Sequence, residues 1–239
     1  MSQCNTRNQK GFTILELMIA TMVFSVILLG ATTALIQIGK LYYKGVVSNR
    51  TQEVTRGIVD QIGQDLQFNA GALTTYIPAP YPGITSSPSS TLKIGAYCVG
   101  TTRYTYILNV QVNGSPALAD NTYVTNSTSN KLNHALWRDT VQSNASCTPV
   151  NLSIAVPTTG GEELLADNMR LTAFSVNCDT NNICGVNAGV IYGDNDLLSP
   201  TPSGADPSTS VPTRCLGVVG SQWCAAAQFT TSVLKRIGN

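Results

Sequence analysis

Lys10-Gly11-Phe12-Thr13-Ile14-Leu15-Glu16-Leu17 opens an apolar run that continues to Gly39, and within 12–39 the only ionisable side chain is Glu16. As a helix at about 1.5 Å per residue, that run covers roughly 40 Å, enough to cross a bilayer. Arg7 and Lys10 precede it with no acid among them. Basic flanks stay on the cytoplasmic side, so the start of the chain is expected inside and the remainder outside. A cleaved secretory signal has a shorter apolar core followed by small residues at the cut site, and no convincing site of that kind follows this core. Cys4 lies before the apolar core and is out of position for lipoprotein acylation. The plain alternative is an uncleaved signal anchor carrying an external domain.

Glu16 argues against the plain alternative. A carboxylate inside hydrocarbon costs about 2.5 kcal/mol or more unless it has a partner, so it reads as functional. The segment 10–17 resembles the class III signal of type IV prepilins. That resemblance implies that a dedicated peptidase cuts between Gly11 and Phe12, that the new Phe12 amine is methylated, and that Glu16 becomes the assembly glutamate. It also implies partners: other pilin subunits, the prepilin peptidase, an inner-membrane assembly platform, and the membrane while the chain is a precursor. Cleavage would place a positive amine one turn from a negative carboxylate in a medium where neither is cheaply left alone. A neighbour's amine could neutralise Glu16 and select one axial register.

Past Gly39 the apolar character becomes a stripe. Leu41, Val47, Val54, Ile58, Ile62 and Leu66 recur at helical spacing, with Arg50, Gln52, Glu53, Arg56, Asp60 and Gln64 between them. Val54, Ile58, Ile62 and Leu66 form an i, i+4 series on one face. No proline occurs before Pro78. The spacing predicts a nearly continuous helix from 12 to about 68, apolar all round in its first half and amphipathic in its second. The domain reading is 1–11 leader peptide, 12–39 membrane or filament-core helix half, 40–70 amphipathic helix half, and 71–239 external β-rich head. Many major pilins carry a proline in the apolar half; this chain has Gly30 there and no proline. A coiled coil is disfavoured for the second half, because its pattern lasts under about three heptads.

After Gly71 the pattern changes. Pro78, Pro80, Pro82 and Pro88 among Ser and Thr predict a loop of about 20 residues. Short β-type runs follow at 92–99, 103–112, 131–138, 152–156 and 171–178, with a last strand at 228–237. Tyr104, Tyr106, Leu108 and Val110 alternate as one face of a half-buried strand does. Residues 162–169 suit a short turn or helix, and 193–213 read as a long loop. The fold class expected is α+β: one long N-terminal helix, its apolar half protruding, packed on an antiparallel sheet with disulfide-tied loops, the type IV pilin fold that the resemblance implies.

Six cysteines follow the apolar run: Cys98, Cys147, Cys178, Cys184, Cys215 and Cys224. An even set beyond a membrane segment reads as three disulfides in an oxidising compartment. The short separations of Cys178 from Cys184 and Cys215 from Cys224 favour local pairing, which leaves Cys98 with Cys147. Zinc sites need tighter spacing and His partners, and His134 is the only histidine. Charged residues make up 11% of the chain and net charge is +1, so bulk electrostatics gives no reason to expect nucleic-acid binding.

Three short stretches resemble the PilW-type minor pilins and GspJ-type pseudopilins more finely: Gln64-Asp65-Leu66, Leu136-Trp137-Arg138, and Glu163-Leu164-Leu165-Ala166-Asp167 followed by Leu171-Thr172-Ala173-Phe174. The function expected is a structural filament subunit, a minor pilin by first reading, with a type II secretion pseudopilin or a filament-displayed adhesin or DNA-uptake subunit as alternatives. It would begin as a single-pass inner-membrane precursor and end in a surface filament. No enzyme is expected: no nucleophile-elbow motif occurs and the acids show no paired arrangement. Asp194 and Asp196, with Asp206 beyond, offer oxygen ligands for Ca2+, against the simpler reading of a solvated turn.

Overall fold

A computed structural model describes residues 11–69, 71–80, 93–108, 111–112, 134–141, 146–150, 160–199, 214–217 and 220–236. The chain divides into two compact units after Tyr42. The first consists of the apolar part of helix α1, Ile14–Phe68. Its side chains stay exposed: Phe12 is 84% accessible, Ile14 81% and Leu29 68%. This is one helix long and apolar enough to cross a membrane.

In the second unit, α1 buries one stripe. Thr51, Thr55, Ile58, Val59, Ile62, Gly63 and Leu66 are its buried residues, spaced three and four apart as a core-facing helix stripe requires. Ile58, Ile62 and Leu66 contribute roughly 1.5–3 kcal/mol each by leaving water. Thr51 and Thr55 sit on the same stripe although hydropathy does not mark them. The Thr51 hydroxyl donates to the Val47 carbonyl at 2.8 Å and the Thr55 hydroxyl to the Thr51 carbonyl at 2.6 Å, so neither is buried unpaired.

Two antiparallel sheets complete the unit. The first is a five-stranded meander in chain order: β1 Leu73–Pro80, β2 Lys93–Val99, β3 Thr102–Ile107, β4 Leu136–Thr140 and β5 Gly161–Glu163. The second is β6 Met169–Cys178, β7 Ile183–Tyr192 and β8 Ala225–Leu234, again in chain order. Tyr97 and Tyr106 from the first sheet stack at 5.4 Å, and Phe174 from the second meets them edge-on at 5.5 and 5.0 Å. These rings sit in one continuous core with Ile58, Ile62 and Leu66. The helix touches the second sheet closely: a Cβ on Gly63 would lie 3.3 Å from Val233 Cγ1, and the Arg56 guanidinium stands 5.5 Å above the Phe229 ring.

Several segments differ from the sequence expectation. Residues 73–80 form β1, where prolines predict a loop. β1 is an edge strand with a register shift between Tyr76 and Ala79, and sheet edges and bulges are where strands tolerate proline. Residues 161–163 form β5 instead of a turn or helix, and the turn follows at 164–168. The strand expected over 103–112 is shorter, ending at Ile107. Residues 183–192 carry no strand expectation and form β7, the central strand of its sheet. The expected strand 152–156 lies outside the described residues.

The structure contains the disulfides Cys98–Cys147, Cys178–Cys184 and Cys215–Cys224. Cys178 and Cys184 are direct cross-strand partners at the mouth of the β6–β7 hairpin. Its turn is held by Asp179, whose Oδ1 accepts the N–H groups of Asn181 at 2.9 Å and Ile183 at 2.8 Å.

Candidate assembly site

The start of α1 is capped by its own sequence. Leu17 N–H donates to the Thr13 carbonyl at 3.2 Å, the first bond of the helix. The Thr13 hydroxyl accepts from Glu16 N–H at 3.3 Å, while Glu16 Oε2 accepts from Thr13 N–H at 2.9 Å. This is a reciprocal capping box, Thr at the cap and Glu three residues on. Oε2 also accepts from the Thr13 hydroxyl at 2.9 Å. Both Thr13 bonds therefore fall on one carboxylate oxygen, and Oε1 takes no hydrogen bond among the described residues. A negative group is favourable at this helix end by the macrodipole as well.

Gly11 precedes the cap. A Cβ added there would meet no atom within 4 Å, so packing among the described residues makes no demand for glycine at that position. Phe12 projects openly. Residues 1–10, including Cys4, Arg7 and Lys10, lie outside the described residues.

The stretches singled out in the head converge on one polar latch. Arg138 on β4 donates to Asp65 on α1 through Nε at 3.1 Å and Nη2 at 3.0 Å, both to Oδ2. The Tyr104 hydroxyl on β3 donates to the same oxygen. Arg138 Nη1 reaches Glu162 Oε1 at 3.4 Å, and Gln61 Nε2 donates to that oxygen at 2.9 Å. Burial, then the hydrogen bond to Asp65 and its charge, push the Tyr104 hydroxyl far above its ordinary value. Burial disfavours the Arg138 charge, but its bonds with Tyr104 and Asp65 outweigh this and hold it more firmly protonated.

Glu163 forms a second fastening. It accepts backbone N–H groups from Ala135 at 3.0 Å, Leu136 at 2.9 Å and Leu165 at 3.1 Å. His134 Nδ1 lies 3.2 Å from its Oε2, and the His134 ring meets Trp137 edge-on at 4.8 Å. His134 is thus tied into a strand junction. Gly161 lies against Trp137; a Cβ there would come 2.5 Å from the indole Nε1, so only glycine lets β5 pass under that ring.

Asp194 and Asp196 are both exposed, and the Asp194 carbonyl accepts the N–H of Leu197 at 3.0 Å to close a 3-10 turn. No group of three or more His, Cys, Asp or Glu suited to a metal occurs among the described residues; Asp206 lies outside them. Trp223, which the sequence does not single out, meets Tyr43 in a tilted ring contact with centroids 4.8 Å apart.

Comparison with known families gives one match: the prokaryotic N-terminal methylation motif, over residues 6–32. That interval contains Gly11, the capping box and most of the apolar run. The N-terminus is that of a type IV pilin-like prepilin. The precursor is membrane-anchored, and the long helix packed on antiparallel sheets is a pilin-like α+β architecture. No curated protein and no solved structure matches the chain.

Proposed function

We propose that this pilin-like prepilin is a minor subunit of a type IV pilus or pilus-like filament, cut between Gly11 and Phe12, methylated at Phe12 and assembled through Glu16. The observation that carries the reading is the capping box at the head of an unburied apolar helix. Thr13 fixes Glu16 Oε2, and Oε1 remains to receive a cation. Cleavage supplies cations of the right kind, the Phe12 amines of neighbouring subunits. Pairing one amine with Oε1 removes two charges from an apolar core and favours a single axial offset between helices. The apolar flank at 12–39 exchanges lipid for other helices as the subunit leaves the membrane.

The head supports a structural role. Tyr104, Arg138 and Glu162 fasten α1 to the first sheet through Gln61 and Asp65, and the groove lined by Arg138, Asp139, Thr140, Gly161 and Glu162 has its guanidinium committed to Asp65 and Glu162.

Mass spectrometry of purified filaments tests the proposal. The expected N-terminus is a methylated Phe12. An intact Met1 in assembled filaments overturns it, as does normal piliation in a strain lacking the gene.

A further inference from the structure

We propose that the Cys215–Cys224 loop is a membrane-interface foot: in the membrane-anchored subunit, Trp223 and Tyr43 rest in the outer headgroup layer of the bilayer that α1 crosses. The inference rests on the membrane-anchored precursor and goes beyond the filament reading.

Trp223 is 44% exposed and Tyr43 48% exposed, although their rings lie 4.8 Å apart. Two large aromatic side chains in tilted contact, each still about half open to solvent, form one shared exposed patch. Each combines an apolar ring with a polar N–H or O–H, the combination enriched at membrane–water boundaries.

The loop holds Trp223 in place. Leu216 N–H donates to the Leu197 carbonyl at 2.7 Å, and Ser199 N–H to the Arg214 carbonyl at 3.0 Å. Cys224 is buried with Ile191, Leu197 and Leu198 in a small separate core. Gly220 enters the 3-10 turn Ser221–Trp223 at φ 99°, where a Cβ would lie 3.1 Å from Leu197 Cδ2. The indole is therefore presented by a braced loop.

Chain length supplies the occupant. Tyr43 is four positions past Gly39, the end of the apolar run. Four residues reach at most ~14 Å even when extended, so Tyr43 cannot leave the vicinity of the membrane surface while 12–39 spans it. Measured along the helix, Tyr43 is about 40 Å from Glu16, against about 40–45 Å for a bilayer with its headgroups. Lys40, Lys44 and Arg50 flank this position and no acid occurs between Glu16 and Glu53. Their ammonium and guanidinium groups can hydrogen-bond headgroup phosphates.

Full-length protein and its W223F variant, both in phospholipid vesicles with and without brominated acyl chains, provide the test. Trp137 is buried, so the emission lost in W223F belongs to Trp223. Flotation with the vesicles checks the anchor separately. The expected result is that this emission is quenched by bromolipid and protected from aqueous iodide, with unchanged far-ultraviolet circular dichroism. Iodide quenching without bromolipid quenching overturns the inference and leaves the anchor standing. Protection from iodide without bromolipid quenching also overturns it, assigning the patch to a second protein copy. Failure to float removes the anchor itself.

Discussion

Arg138 Nε and Nη2 both converge on Asp65 Oδ2, at 3.1 and 3.0 Å, and so tie strand β4 to the last turns of α1. The carboxylate side chain is 16% exposed and the guanidinium 31%. The pair is only partly desolvated, which weakens it relative to a fully buried one. Its importance lies in what removal leaves behind: without Asp65, the Tyr104 hydroxyl loses its acceptor and the Arg138 guanidinium keeps only Glu162 among the described residues, at 3.4 Å.

D65A is accordingly expected to destabilise the head by about 2–3 kcal/mol, below the usual cost of breaking a fully buried pair. R138M, which keeps the aliphatic stem, should cost less, because an exposed part of Asp65 can recover water. Chemical denaturation of the two variants checks the order. Equal stability of D65A and the parent would mean that the latch contributes nothing.

Alkaline pH should attack the same place. Burial and Asp65 raise the Tyr104 value, and burial, then the charge and hydrogen bond of Tyr97, raise that of Tyr106. A folded value above the unfolded one of about 10 means the stability contribution is complete below about pH 10. It is lost as pH rises beyond that, because the unfolded chain releases the protons first. Ultraviolet titration should show these two phenols silent until unfolding, with Y106F flattening the alkaline loss. Ionisation of all tyrosines near pH 10 without unfolding would contradict this.

The sequence made α1 legible because one physical rule covers each half: an apolar run needs lipid or protein around it, and an i, i+4 stripe needs a core. Thr51 and Thr55 escaped that rule because their hydroxyls are satisfied by the helix's own carbonyls. β1 escaped because prolines usually break strands, and only its edge position makes them acceptable. β7 escaped because Gly185 and Gly189 interrupt its apolar alternation; a Cβ on Gly189 would come 2.6 Å from Thr172 Oγ1, a contact between strands that no local pattern records. At the candidate assembly site, Gly11, Phe12 and Glu16 were readable as a motif, but the fall of both Thr13 bonds on a single Glu16 oxygen was not. Trp223 was invisible because its partner, Tyr43, is far away in sequence.

Disulfide removal should rank by loop length. Cys98–Cys147 closes a sequence separation of 49, Cys215–Cys224 one of 9 and Cys178–Cys184 one of 6. Chain entropy gives about 4 kcal/mol for the first and roughly 2–3 kcal/mol for the others. Double Cys→Ser variants of each bridge, compared by thermal melting, should follow that order. The Cys178–Cys184 pair should matter least for a second reason: Asp179 already holds its hairpin turn through two backbone bonds.

Glu16 allows charge and hydrogen bonding to be separated. E16Q keeps an oxygen to accept from Thr13, so the capping box survives with a loss of a few tenths to about 1 kcal/mol of helix-end stability. It removes the negative charge that a neighbour's Phe12 amine would meet at Oε1. T13A does the reverse: the charge stays and the hydroxyl that steadies Oε2 is lost. Both precursors should be cut after Gly11 as the parent is, since neither change touches the scissile bond, whereas G11V should accumulate uncut chain. Filament yield, counted by electron microscopy or shear recovery, is expected to fall at least tenfold in E16Q and only modestly in T13A. If the two variants assemble equally well, charge pairing does not set the register, and Glu16 acts only as the cap of its own helix.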